Sequence, residues 1–325
     1  MTLTALESPA VEVRGLTKAY EKVEAVRGID LTVASGELFG FLGPNGAGKS
    51  TTIKILCTLL RPTTGSARVA GHDVVRERGA VRRSIGLVFQ EPTLDEHLTA
   101  EQNLRFHGEI YGLDKQTVRS RSDVVLDMVG LDDRRGDLVR TFSGGMKRRL
   151  EIARGLLHSP RVLFLDEPTI GLDPESRATL WRYIDVLRRQ EQITVFLTTH
   201  YMDEAERCDR IAIVDAGLVA ALGTPGELKA GVGHDRVRLQ TSDDAASAAV
   251  VRERLGLEVV QERDALVVLA PDGERVVPSL FELGLRIRSV SVSRPSLDDV
   301  FLACTGGRLS EKQAAAAPRG PRRPR

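Results

Sequence analysis

The chain has 325 residues, 42% of them hydrophobic and 28% charged, with a formal net charge of +1. That balance describes a globular protein with room for one large and one small domain, and it offers no chain-wide electrostatic case for nucleic acid or an anionic surface. Cys57, Cys208 and Cys304 are odd in number and lie outside any metal-ligand spacing, so reduced thiols are expected and a structural metal is not.

Residues 1–10 read as an extension with no basic or apolar stretch of the kind a secretion signal needs. No apolar run approaches the roughly 18 to 20 residues that span a bilayer, so action on a membrane is expected to require another chain. From residue 11 to 228 short apolar runs alternate with helical patterns, the texture of an α/β domain with a largely parallel sheet. ELFGFL (37–42), SIGLVF (84–89), RVLFLD (161–166), ITVFLTTH (193–200) and RIAIVD (210–215) are expected strands. RVLFLD and ITVFLTTH are apolar on both parities, as strands covered on both faces are. KSTTIKILCTLL (49–60) and PESRATLWRYIDVLRRQ (174–190) are expected helices between them.

Residues 229–305 have a different texture. DRVRLQTS (235–242) reads as a strand, 243–255 as a helix and EVVQERDALVVLAP (258–271) as a hairpin. A short helix around SLFELG (279–284), a strand IRSVSVSR (287–294) and a final helix SLDDVFLACTG (296–306) follow. The order β-α-β-β-α-β plus a helix predicts a small α+β accessory domain of ferredoxin-like type. The tail, 306–325, is rich in Ala, Pro and Arg and is expected to be disordered.

Chemistry concentrates at the ends of the expected strands. GPNGAGKS, Gly43 to Ser50, follows one strand and opens a helix, so its amides can cradle phosphates, Lys49 can reach the β- and γ-phosphates and Ser50 can ligate Mg²⁺. Asp166 and Glu167 close an apolar strand. Alternation sends them to opposite faces, so Asp166 suits a metal and Glu167 suits activation of an attacking water. Gln90 and His200 close two further strands, where ligand groups collect in open α/β sheets. His200 suits donation to a γ-phosphate, and Gln90 contact with Mg²⁺ or the water. Within TFSGGMKRRLEIARGL (141–156), a helix opening on Ser143, Gly144 and Gly145 presents free amides to an anion.

The set GPNGAGKST, Gln90, FSGG, LFLDEP, GLD (171–173) and His200, in this order, resembles the ATP-binding cassette (ABC) ATPases over residues 10 to about 225. The resemblance implies a RecA-like core, an N-terminal antiparallel sheet and a helical subdomain at about 95–155. It implies ATP and Mg²⁺ as cofactors, with ATP held by Gly43, Pro44, Asn45, Gly46, Ala47, Gly48, Lys49, Ser50 and Thr51, and adenine stacked on Tyr20. Mg²⁺ would take Ser50, Gln90 and Asp166. Two cassettes would bind two ATP molecules head to tail, so that Ser143, Gly144 and Gly145 hold the γ-phosphate of ATP on the other subunit, and Asp173 couples the two sites. Phe142 departs from the leucine that usually precedes SGG. PSLDDVFLACTG and LDEHLTAEQNL further resemble the daunorubicin/doxorubicin-resistance type of drug-efflux ATPases. That resemblance implies a homodimer at the cytoplasmic face of the cell membrane, bound to a separate integral permease whose coupling helix docks at about residues 90–110. The competing class, a soluble ABC ATPase acting on DNA or the ribosome, would show a coiled-coil insertion or a second cassette. Neither is present in the sequence, and no nucleic-acid partner is expected.

Overall fold

The structure, a computed structural model, describes residues 8–262 and 265–305. The expected disordered tail (306–325) and most of the N-terminal extension lie outside the described residues. The chain divides into two units between Leu222 and Gly223. That is ahead of the expected 228/229 boundary, because the helix after Thr224 packs against the last of the described helices.

The first unit runs β1 (Val11–Tyr20), β2 (Val23–Val33), β3 (Leu38–Leu42), α1 (Lys49–Leu56), β4 (Thr64–Val69), β5 (His72–Asp73), α2 (Arg78–Ser84) and β6 (Ile85–Val88). Helices α3 (Ala100–Ile110), α4 (Lys115–Met128) and α5 (Gly144–Leu156) come next, inserted before β7 (Val162–Asp166). The unit closes with α6 (Pro174–Glu191), β8 (Thr194–Thr199), α7 (Met202–Ala205), β9 (Arg210–Asp215) and β10 (Leu218–Gly223). One sheet has the order β2-β1-β4-β5 and is antiparallel; the other has the order β10-β9-β3-β8-β7-β6. Strand β3 pairs in parallel with β8 and β9, and β7 pairs in parallel with β6 and β8. Every carboxyl end of these five strands therefore opens on one edge, where α/β sheets place their ligands.

The core explains the apolar runs. All residues of β7 and β8 are buried. Register places Phe39 and Phe164 on either side of Phe196, with ring centroids 5.3 and 5.4 Å away. Phe41 completes the cluster at 5.5 Å from Phe196. Each buried phenylalanine contributes about 1.5–3 kcal/mol, which makes this row a rigid floor beneath the strand ends.

Two boundaries differ from the sequence reading. The helix expected over 49–60 ends at Leu56, because Thr58 turns into the left-handed region (φ 63°) and the amides of Leu59 and Leu60 both return to the Lys54 carbonyl. Strand β6 stops at Val88, so Gln90 stands two residues beyond it rather than closing it, and Ser84 ends α2.

The second unit holds α8 (Pro225–Val232), β11 (Asp235–Thr241), α9 (Asp244–Leu255), β12 (Glu258–Gln261), β13 (Leu266–Ala270), α10 (Gly273–Glu282), β14 (Ile287–Ser293) and α11 (Leu297–Thr305). Its sheet, β12-β13-β11-β14, is antiparallel throughout, the order of a split β-α-β arrangement. The short helix expected at 279–284 is instead α10, which starts at Gly273 and contains Pro278. Asp272 caps it by accepting from the Arg275 amide, and Val276, Val277, Leu280 and Leu283 pack into the core of this unit. That apolar face outweighs the one ladder bond the proline removes.

Candidate active site

The site grows out of the loop between β3 and α1. The Gly43 amide donates to the Thr199 carbonyl at 3.2 Å, which ties the loop entry to the end of β8. A Cβ at Gly43 would lie 2.4 Å from the Val214 carbonyl oxygen. At Gly48 (φ 102°) it would lie 2.4 Å from the Ala25 carbonyl oxygen. Both positions admit only glycine. Gly48 is also the N-cap of α1 and brings no side-chain oxygen, so the first-turn amides of α1 stay open to an anion.

Lys49 folds back across this loop. Its buried Nζ donates to the Gly43 carbonyl at 2.7 Å and the Pro44 carbonyl at 3.2 Å, and lies 3.3 Å from Glu167 Oε1. Burial pushes the ammonium below its ordinary pKa, against the opposing pull of Glu167.

Glu167 follows β7 with a left-handed backbone (φ 48°), a conformation that costs a non-glycine residue on the order of 1–3 kcal/mol. Its amide is held by the Thr198 carbonyl (3.2 Å) and hydroxyl (3.1 Å). Its second carboxylate oxygen lies 3.4 Å from His200 Nδ1. Burial works to raise this carboxyl, but the polar contact with His200 and the charge of Lys49 outweigh it and hold it below the usual range. Asp166 Oδ1 accepts from the Thr198 hydroxyl at 2.5 Å and from Ser50 Oγ at 3.4 Å. The two acids therefore face different partners, Asp166 the helix start and Glu167 the Lys49–His200 pair.

A cavity of about 480 Å³ is lined by Ala25, Pro44, Asn45, Gly46, Gly48, Lys49, Ser50, Thr51, Gln90, Glu167, Ile170 and His200. It gathers the residues read from GPNGAGKST, the acid–His pair and Gln90 at one place. Gly43 and Ala47 shape the loop from behind. Ser50, Gln90 and Asp166 offer one hydroxyl, one amide and one carboxylate, an oxygen set that suits Mg²⁺ completed by water and phosphate.

Five sequence candidates lie well away from this cavity's lining. Tyr20, at the end of β1, is 42% exposed, with Lys18 Nζ 5.1 Å above its ring. Ser143 caps α5, accepting from the Met146 amide, and both it and Gly144 are exposed while Gly145 is half-buried. Asp173 caps α6, and its bond from Ser176 keeps the exposed carboxyl below its usual range. A separate cavity of about 540 Å³, lined by Ser35, Ser159 and Thr194 among others, sits at the opposite ends of β7 and β8 and contains none of these groups.

Two residues the sequence reading passed over hold the site together. Thr198 bonds both acids; its signal was a polar position inside ITVFLTTH. Arg148 lies in the basic run of TFSGGMKRRLEIARGL, and it is buried. Its guanidinium donates to the carbonyls of Phe89, Asp166 (3.1 Å) and Pro168 (2.8 Å) and pairs with Glu151 at 3.1 Å. One side chain of α5 thus grips the backbone next to Gln90 and on both sides of Glu167.

A phosphate loop after the central strand, an acid pair after its second neighbour and a histidine after the strand between them define a phosphate-loop nucleoside triphosphatase. Comparison with known proteins narrows the class. The ABC transporter pattern matches residues 26–170, and that of the ATP-binding protein DrrA1-3-like C-terminal domain matches residues 223–305. The daunorubicin/doxorubicin resistance ATP-binding protein DrrA of Streptomyces peucetius is 44% identical over 317 residues, which cover 95% of this chain and 96% of that protein. Among solved structures, cbiO1 from Clostridium perfringens, part of the ABC transporter complex cbiONQ, superposes with a TM-score of 0.64 at 28% identity, covering 77% of this chain and 97% of that one. A dimeric post-hydrolysis state of the ATP-binding cassette MJ0796 with ADP and Pi superposes with a TM-score of 0.60 at 28% identity, covering 66% and 98%. The chain belongs to the ATP-binding proteins of ABC transporters and is an ATPase.

Proposed function

We propose that this chain is the ATP-hydrolysing subunit of a drug or antibiotic exporter, working as a homodimer on a separate membrane permease. The observation that carries the reading is that likeness to a named drug-resistance protein runs through both units, including residues 223–305, beyond the part common to ABC cassettes. Among the described residues no helix is long and apolar enough to cross a membrane, so the transport path is assigned to the permease.

In this reading the loop from Gly43 to Thr51 holds the phosphates of ATP, Lys49 leaves its backbone contacts for the β- and γ-phosphates, and Tyr20 stacks on adenine. Ser50, Gln90 and Asp166 would hold Mg²⁺, which when bound would supply positive charge to offset that of the phosphates. Glu167, kept ionised by its surroundings, accepts the proton of the attacking water. The water oxygen bonds to the γ-phosphorus as the bond to the bridging oxygen breaks, releasing ADP and phosphate. His200 donates to the γ-phosphate. Ser143 and Gly144 are exposed and Gly145 is half-buried beside them, and there the open amides of α5 meet the ATP of a second copy across an interface. Asp173 couples the two sites.

ATP binding closes the dimer and hydrolysis reopens it, and the permease follows through the segment at 90–110. On α3 of that segment Phe106 is 59% and Ile110 65% exposed, one helical turn apart, a suitable apolar patch for a cytoplasmic helix of the permease. The expected location is peripheral, at the cytoplasmic face of the membrane.

Affinity purification of the tagged full chain, in mild detergent with Mg²⁺ and ATP, tests the partner. Recovery of a protein with about six apolar spans is expected. Recovery of ribosomal proteins or nucleic acid, with no membrane protein, overturns the reading.

A further inference from the structure

Glu204 has no part in the reaction as described, yet it is 1% exposed and stands in α7, four residues after His200. Thr169, wholly buried two residues after Glu167, donates its hydroxyl to Glu204 Oε1. Burial holds the Glu204 carboxyl above its ordinary range, against the opposing pull of the Thr169 hydroxyl and of the Thr199 hydroxyl on the residue before His200. Glu204 Oε2 is buried with no hydrogen-bond partner among the described residues. Burying a polar atom in this state is unfavourable, a penalty an apolar residue would avoid if the position served packing alone.

The neighbours reach the same two segments. Arg177, whose charge acts on Glu204, lies one turn into α6 after Asp173. Its guanidinium covers the Tyr201 ring at 4.7 Å, and the Tyr201 ring in turn lies 4.2 Å from that of His200. Tyr201 is fastened by its amide to Thr199 Oγ1 at 2.9 Å. On the other side, the Leu172 amide closes a turn onto the Thr169 carbonyl at 3.1 Å, and the Ile170 amide one onto the Glu167 carbonyl at 3.4 Å, so Thr169 is tied by short turns toward both Glu167 and Asp173.

We infer that Glu204 is a positioning residue for ATP hydrolysis: it fastens the segment carrying Glu167 to the segment carrying His200 and so holds those two groups within contact distance. The inference rests on the roles proposed above for Glu167 and His200. The His200 Nδ1–Glu167 Oε2 distance of 3.4 Å is long for a hydrogen bond, so its value to the reaction depends on what stops the two segments from drifting apart. Glu204 supplies that tie from below, out of reach of the nucleotide cavity.

The test uses the purified full chain and measures kcat and KM for ATP together with the affinity for a fluorescent ATP analogue. Glu204→Gln, which keeps an acceptor for Thr169, is expected to stay within about threefold of wild-type kcat. Glu204→Ala and Thr169→Val are each expected to lose about tenfold in kcat, with KM and affinity within about twofold. In a His200→Ala background, measured by single turnover, Glu204→Ala is expected to cost less than about twofold more, because the group it positions is gone. Where Glu204→Ala does not fold, Thr169→Val carries the same test, since it removes only the donor hydroxyl. Losses that multiply in the double variant, a KM that shifts with kcat, or Gln as damaging as Ala would each overturn the inference. Glu167→Gln or His200→Ala retaining turnover would remove the parent reading; both inactive with Glu204→Ala fully active would remove this inference alone.

Discussion

Glu167→Gln is expected to lower steady-state ATP turnover by about 10²- to 10³-fold while ATP affinity stays within a few-fold of wild type, the pattern of a removed general base. The amide keeps the side chain's size and can still accept from Lys49, which lies 3.3 Å from the carboxylate, but it cannot take a proton from water. The carboxyl is suited to that task because His200 and Lys49 overcome burial and keep it ionised at neutral pH. ATP-bound dimer should accumulate in this variant. Phosphate release, nucleotide binding and gel filtration with Mg²⁺ and ATP check the three parts, and turnover near that of wild type would remove Glu167 from its role.

Ser143→Arg is expected to abolish ATP-dependent dimerisation, a loss of at least about a hundredfold in dimer affinity, while monomers bind ATP as before. Ser143 is exposed, stands outside the nucleotide cavity of its own chain and opens α5. A bulky cation there blocks the approach of a second copy without touching Lys49 or Ser50. Losing the cap itself costs about 1 kcal/mol, and Ser143→Ala isolates that part, since it removes the cap without the bulk. Light scattering separates the cases: a Ser143→Arg chain that dimerises like wild type would contradict a site completed across the interface.

How much of this was legible in the sequence depends on whether a residue acts through its neighbours in the chain or across the fold. The strands β7 and β8 were readable because burial on both faces demands apolar residues at both parities. The phosphate loop was readable because curling a backbone around phosphate needs glycine at fixed spacing, as Gly43 and Gly48 show by their contacts. The end of α1 was not, because a left-handed Thr58 follows no composition rule. The start of α10 was not, because Pro278 argues locally for a break that a packed apolar face overrides. Within the site, Lys49, Gln90, Glu167 and His200 could be named in advance, but the groups that hold them could not. Arg148 reaches three strand-end carbonyls, and Thr198 reaches two acids, through contacts 18 to 59 residues apart in the chain. Spacing carries no trace of them.

The central claim is that ATP hydrolysed at this site drives a drug outward through a separate permease. Its most direct test is ATP-dependent uptake of doxorubicin, followed by fluorescence quenching, into inside-out membrane vesicles from cells that express the chain with its co-purifying permease. The account predicts uptake that requires Mg²⁺ and ATP and disappears when the vesicles carry Glu167→Gln. Uptake that is equal with the wild-type and Glu167→Gln chains, or absent while the wild-type chain hydrolyses ATP in the same membranes, would contradict it.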